Sequence, residues 1–168
     1  MNFYLLRHAK AEDLGARDTR RDSGRVLVPA GVKRMRRAAK GMRALDLRFD
    51  VILSSPFRRA RETAEIVADV FKATKKLRNV AALEPENDPE DILDYLRQFE
   101  RATDDVLLVG HEPHLSRLVA ALVAGGGAIS LNFKKAGLCK LRGELRRGRA
   151  AASLEWFLTP RQLEQLAD

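Results

Sequence analysis

The segment Asn2-Phe3-Tyr4-Leu5-Leu6-Arg7-His8 decides how this chain is read. Residues 2–6 form an apolar run without the polar alternation of a half-exposed strand, the pattern of a strand buried on both faces. The run ends abruptly in a guanidinium and an imidazole. Similar runs recur at 51–53 (VIL) and 106–109 (VLLV), with a weaker candidate at 79–83 (NVAAL). Helical patterns lie between them. From Pro29 to about Leu45, the residues Val32, Met35, Ala39, Met42 and Leu45 recur at helical spacing. Ser55-Pro56 reads as the N-cap and first residue of a helix carrying Ala60, Ala64, Val67 and Phe71. Asp88-Pro89 opens another with Ile92, Leu96 and Phe99, and a fourth runs from about Pro113 to Ala124, stopping at Gly125-Gly126-Gly127. Toward the end, 137–142 and 152–158 predict a hairpin around a basic loop at 143–149. Thr159-Pro160-Arg161-Gln162 has the capping-box spacing and opens a short final helix.

Short apolar runs alternating with helices predict an α/β layered protein. No repeat, low-complexity linker or composition break divides the chain, so 1–168 is expected to be one domain, long enough to bury a core. No apolar run approaches the roughly 18–20 residues that cross a bilayer. At the N-terminus the basic residues come after the apolar stretch, the reverse of a secretory signal. The single cysteine, Cys139, rules out an internal disulfide and points to a reducing compartment, with the cytoplasm as the expected location. The 31 Lys+Arg against 23 Asp+Glu give a net charge of +8 and favour an anionic partner. Much of that excess lies on Lys33, Arg34, Arg36, Arg37, Lys40 and Arg43. No aromatic platform is interleaved with these charges, so the run reads as the solvated face of a helix and no nucleic-acid or membrane partner is expected.

The chemistry is carried by short motifs at the ends of three strands. After 2–6 comes Arg7-His8, after 51–53 comes Ser54-Ser55-Pro56-Phe57-Arg58-Arg59-Ala60, and after 106–109 comes Gly110-His111-Glu112-Pro113-His114. Ligands of open α/β sheets bind outside the carboxyl ends of the strands. If these strands are parallel neighbours, two histidines and two or three arginines converge there. Arginine's planar fork suits phosphate oxygens, and positive neighbours hold an imidazole neutral and nucleophilic at neutral pH. A neutral His8 could then attack phosphorus, with the arginines and His111 stabilising the equatorial oxygens. Other assignments of these residues are weaker. Ser54 and Ser55 could be nucleophiles, but Ser55 before Pro56 is better explained as a cap. Cys139 lacks the arginine of a Cys-x5-Arg loop, because Leu145 stands there. His111 and His114 could bind a metal, but no clustered Asp or Glu comes after the other strands, so no metal or other cofactor is expected.

Arg7-His8, Ser55-Pro56-x-x-Arg59-Ala60-x-x-Thr63 and Gly110-His111 together resemble the histidine phosphatase superfamily, in its branch with phosphoglycerate mutases. The short chain, Arg25-x-Leu27-x-x-x-Gly31 and VLLVGHEPHLS are most similar to the SixA-type phosphohistidine phosphatases. The resemblance runs from residue 2 to about 124. It implies a three-layer α/β/α sandwich around a mostly parallel sheet, with His8 as nucleophile, Arg7 and Arg59 as phosphate clamps, His111 as the second histidine and Arg25 as a further phosphate contact. Two departures stand out. Ala9 replaces the usual glycine after the histidine, which requires φ below zero there. The general acid that larger relatives place downstream of the second arginine is matched only loosely, by Glu84 and Glu86. A weak acid suits a phosphoramidate, whose leaving nitrogen can be protonated before P–N cleavage.

The expectation is therefore a metal-independent phosphatase acting on phosphohistidine in a protein. Small phosphomonoesters or polyphosphate are the alternative substrates, and a binding module that recognises phosphate without turnover is the alternative of another class.

Overall fold

The structure, a computed structural model, describes residues 1–14, 21–99, 103–127, 129–146 and 149–167. Six strands form one sheet: β1 (Asn2–Arg7), β2 (Val51–Ser54), β3 (Leu77–Asn79), β4 (Asp105–Gly110), β5 (Leu138–Arg146) and β6 (Arg149–Leu158), in the order β3-β2-β4-β1-β5-β6. From β3 to β1 the neighbours are parallel, and β5 and β6 close one side as an antiparallel hairpin. Five α-helices lie among the described residues: α1 (Pro29–Ala44), α2 (Arg58–Val70), α3 (Pro89–Arg97), α4 (His114–Ala124) and α5 (Pro160–Gln165).

Alternate residues of the central strands face opposite layers. Tyr4, Leu6, Ile52, Leu107 and Val109 pack against Met35 and Met42 of α1, Val67 of α2 and Leu163 of α5. Phe3, Leu5, Leu53, Val106 and Leu108 pack against Ile92 and Leu96 of α3 and Leu115 and Leu118 of α4. Helices on both faces explain why the strand sequences are uninterrupted apolar runs. Gly41 lets α5 lie directly on α1, since a Cβ there would sit 1.8 Å from the Leu163 carbonyl oxygen. Among the described residues, no helix is long and apolar enough to cross a membrane.

Several caps form as their sequences predict. Asp88 accepts from the Glu90 amide at 2.9 Å, Thr159 and Gln162 make a reciprocal capping box, and α4 ends at Gly125 with φ 58°. Three expectations need correction. Strand β3 occupies Leu77–Asn79, and 81–83 is a 3-10 turn that buries Leu83 and leads the chain away from the sheet. The last hairpin runs straight through most of the expected basic loop, because 143–146 pair with 149–152; residues 147–148 lie outside the described set. Finally, α2 begins at Arg58, not at Ser55-Pro56, because Phe57 is held extended at φ −60°, ψ 132°. That backbone turns the Phe57 ring edge-on to His111, with centroids 5.4 Å apart, and beneath the Arg59 guanidinium at 5.3 Å.

Candidate active site

The register of the parallel strands puts the three motifs at one level. Leu6 pairs with Val109, Arg7 with Gly110, and Ser54 with Val109. Just beyond the strand ends, the His8 amide donates to the Gly110 carbonyl at 3.0 Å and the Ser55 amide to the Val109 carbonyl at 3.0 Å. The backbones carrying His8, Ser55 and His111 are thereby tied together before any side chain is considered. Thr63 adds a further tie, accepting from the Ala9 amide at 3.0 Å while donating to the Arg59 carbonyl at 2.6 Å. Ala9 is buried and is not among the positive-φ residues, so its methyl group is accommodated where the family usually has glycine.

His8 is 5% exposed and held in one tautomer. Its Nδ1–H donates to the Ala9 carbonyl, 2.8 Å away, because a carbonyl can only accept. Nε2 is left with its lone pair and accepts from Arg59 Nε at 3.3 Å. Burial pushes the His8 pKa down to about 3; the Ala9 carbonyl opposes this, and the charges of Arg59, Arg7 and Lys135 reinforce it. His111, with its ring centroid 5.1 Å from that of His8, is pushed down to about 2, by burial first and by His8 and Arg59 after it. Both rings are neutral bases at neutral pH.

The cations around them are anchored from behind. Arg7 donates to the Phe133 carbonyl at 2.6 Å, and its Nε is buried without a partner. Arg59 donates from NH1 to the Asp22 carbonyl at 2.8 Å and pairs through NH2 with the Asp22 carboxylate at 2.9 Å. Partial burial opposes the charge of Asp22, but Arg25 and Arg59 outweigh it and hold the carboxyl below its usual range. Burial likewise lowers the pKa of both Arg7 and Arg59, though guanidinium groups remain charged at neutral pH. A desolvated cationic pocket with the unprotonated Nε2 of His8 facing it suits in-line attack on a tetrahedral anion.

The structure therefore brings together Arg7, His8, Arg59 and His111. It places Arg25 one step behind them. Its fork is engaged by the Glu12 carbonyl at 2.6 Å, Asp22 at 3.0 Å and Asp13 at 3.6 Å, so it reaches Arg59 through Asp22. Glu84 is half-buried after the 81–83 turn, whose Leu83 carbonyl runs beside Gly110, while Glu86 is exposed. Two features escape the sequence reading: Asp22, and Ser55 in its actual place. Ser55 Oγ accepts from the Phe57 amide at 3.2 Å and shares a 2.9 Å hydrogen bond with His111 Nε2. Thr63 closes the motif that runs from Ser55 through Arg59, one helical turn after that arginine. Cys139 is buried on β5 with its thiol pushed up to about 12, unlike a nucleophilic cysteine. Among the described residues, no group of three or more His, Cys, Asp or Glu side chains could hold a metal ion.

The model of the histidine phosphatase superfamily (branch 1) matches residues 3–86, half of the chain. The chain belongs to this superfamily. An uncharacterised protein of Picosynechococcus sp. (strain ATCC 27264 / PCC 7002 / PR-6) is 35% identical to it over 159 residues, covering 94% of each chain. Phosphohistidine phosphatase SixA of Escherichia coli (strain K12) is 29% identical over 126 residues, 74% of this histidine phosphatase and 76% of the relative. The solved structure of the protein histidine phosphatase SixA complexed with tungstate superposes with a TM-score of 0.84 at 24% identity, covering 97% and 99% of the two chains. More distantly, a phosphoserine phosphatase from Entamoeba histolytica shares the fold with a TM-score of 0.63 at 16% identity over 96% and 98% of the chains. The protein is thus a phosphatase that works through a histidine, on a mixed six-stranded sheet covered by helices on both sides.

Proposed function

We propose that this phosphatase hydrolyses phosphohistidine in a protein, with His8 Nε2 as the attacking atom. The observation that carries the nucleophile assignment is the fixed tautomer. Nδ1 is committed to the Ala9 carbonyl, and Nε2 presents a lone pair beside Arg59. In the first step Nε2 bonds to phosphorus while the P–N bond of the substrate breaks. The leaving imidazole, already protonated on its other nitrogen, departs as neutral histidine. Water then attacks phosphorus in the His8 adduct, its proton passing to the released phosphate, and neutral His8 is regenerated. Arg7, Arg59 and His111 bind the equatorial oxygens, and Arg25 acts at one remove by holding Asp22.

The substrate class is supported by the phosphohistidine phosphatase relative and by the carboxylates beside the site. Glu84 is only half-buried, and Glu86 is exposed. An acid so weakly placed serves a phosphoramidate better than an alkyl ester, which must leave as an alkoxide unless protonated. The test combines trapping with substrate comparison. Alkaline denaturing quench during turnover of a labelled phosphohistidine protein is expected to leave base-stable, acid-labile label on His8, absent in His8→Ala. Replacing both Glu84 and Glu86 by Gln is expected to reduce turnover of an alkyl phosphate while sparing phosphohistidine. Undiminished turnover by His8→Ala refutes the nucleophile, and equal losses on both substrates refute the phosphoramidate preference. A strong native preference for small esters or polyphosphate moves the enzyme to those substrates.

A further inference from the structure

Beside the catalytic pocket lies a second concavity that the chemistry above does not use. It is a cleft of about 880 Å³ between the end of β1, the first turn of α1, the loop before β5 and the start of α5. Its charged lining is entirely cationic among the described residues: Arg7, Lys10, Arg34, Lys134, Lys135 and Arg161. Among the described residues only Arg34 has a carboxylate partner, Glu164 at 3.1 Å, and Lys10, Lys134 and Arg161 are exposed and unpaired. One wall is closely packed backbone against backbone, since a Cβ on Gly31 of α1 would meet the Lys10 carbonyl oxygen at 2.2 Å. Two residues join the cleft to the reaction centre. Arg7 belongs to both, and half-buried Lys135 is one of the charges acting on the His8 ring.

Five cations in one concavity with no carboxylate partner among the described residues repel one another unless an anion screens them. The volume is that of a site for a ligand of many atoms, far beyond one more phosphate. We infer that this cleft receives an acidic segment of the phosphorylated protein, flanking the phosphohistidine whose phosphoryl group sits over His8. The inference rests on the phosphohistidine reading for its substrate, and the cleft selects among phosphoproteins by the charge beside the modified residue. Such complementarity acts through exposed pairs, each modest alone and additive over several.

The experiment measures binding apart from turnover. Two phosphohistidine peptides are compared, one with Asp and Glu on one side of the modified residue and one with Asn and Gln in their place. Affinities are read by fluorescence anisotropy on His8→Ala enzyme, so that the peptides stay intact. The acidic peptide is expected to bind about tenfold more tightly at low salt, with the ratio shrinking at high salt. Adding Lys134→Glu and Arg161→Glu is expected to bring the ratio to one or below, and Lys134→Gln with Arg161→Gln to give an intermediate ratio that guards against misfolding. Equal affinities, or a preference that survives both reversals, overturn the proposal. Tripolyphosphate binding that collapses on reversal while the peptide ratio holds overturns it in favour of a small polyanion. Turnover of both peptides by the wild type is scored separately. A charge preference in binding without dephosphorylation refutes the phosphohistidine activity and leaves the cleft standing.

Discussion

Arg59 donates its Nε proton to His8 Nε2 across 3.3 Å, so the proposed phosphate clamp also orients the proposed attacking atom. A lysine can supply the charge but not the planar fork that reaches His8 and Asp22 together. Arg59→Lys is therefore expected to lower kcat by about 10²- to 10³-fold, the range seen when one preorganised donor is lost. Steady-state kinetics with any turned-over substrate checks this, and a change in KM alone would refute the dual role.

Acid should destabilise the fold through its histidines. His8 and His111 titrate near 3 and 2, well below the ordinary 6.5. Between those values and 6.5 the unfolded chain takes up protons that the folded chain refuses. Stability is thus intact above about pH 6.5 and declines as pH falls through the window, by on the order of 1 kcal/mol per pH unit per histidine. Urea midpoints measured across this window should fall less steeply for His111→Gln than for the parent. Parallel slopes would contradict the assignment.

Asp22 already holds Arg59, the proposed phosphate clamp. Its carboxylate and carbonyl occupy both terminal nitrogens of the guanidinium. The Asp22 side chain is 48% exposed, so screening keeps the pair modest. Asp22→Asn is expected to tighten inhibition by inorganic phosphate about two- to fivefold. Weaker inhibition would instead assign Asp22 a purely supporting part.

Ser55 holds His111. Its removal leaves the Phe57 amide and His111 Nε2 without their buried partner, at a cost of about 1–3 kcal/mol in stability. Ser55→Ala is expected to lower kcat more than it raises KM, because His111 loses its orientation while Arg7 and Arg59 still bind substrate. An unaltered kcat in a folded variant would exclude the positioning role. Thermal melts and initial rates on one preparation test both parts.

The legible part of this molecule is the part held by backbone regularity. Apolar runs at 2–6, 51–53 and 106–109 mark the three central strands, and the residues that end them arrive at one edge because parallel register leaves them nowhere else. Contacts that depend on where a turn closes are not legible in this way. Ser55-Pro56 has the composition of a helix start, and only the extended Phe57, fixed by its packing on His111, moves the start to Arg58. Asp22 lies 37 residues from Arg59 in a segment without periodicity, so nothing local couples the two. The basic stretch after Gly143 reads as a loop from its charges, but pairing with 149–152 makes most of it strand.

The pairing of β1 with β4 carries a consequence for how the enzyme comes into being. Asn2 lies opposite Asp105, 103 residues along the chain, and the bond from the His8 amide to the Gly110 carbonyl forms only once that pairing is complete. Such distant closure is entropically costly and comes late. A nascent chain released as far as Thr103 would contain Arg7, His8 and Arg59 yet have no anion site. Phosphate should therefore bind the native ensemble alone, slowing unfolding without hastening the early steps of refolding.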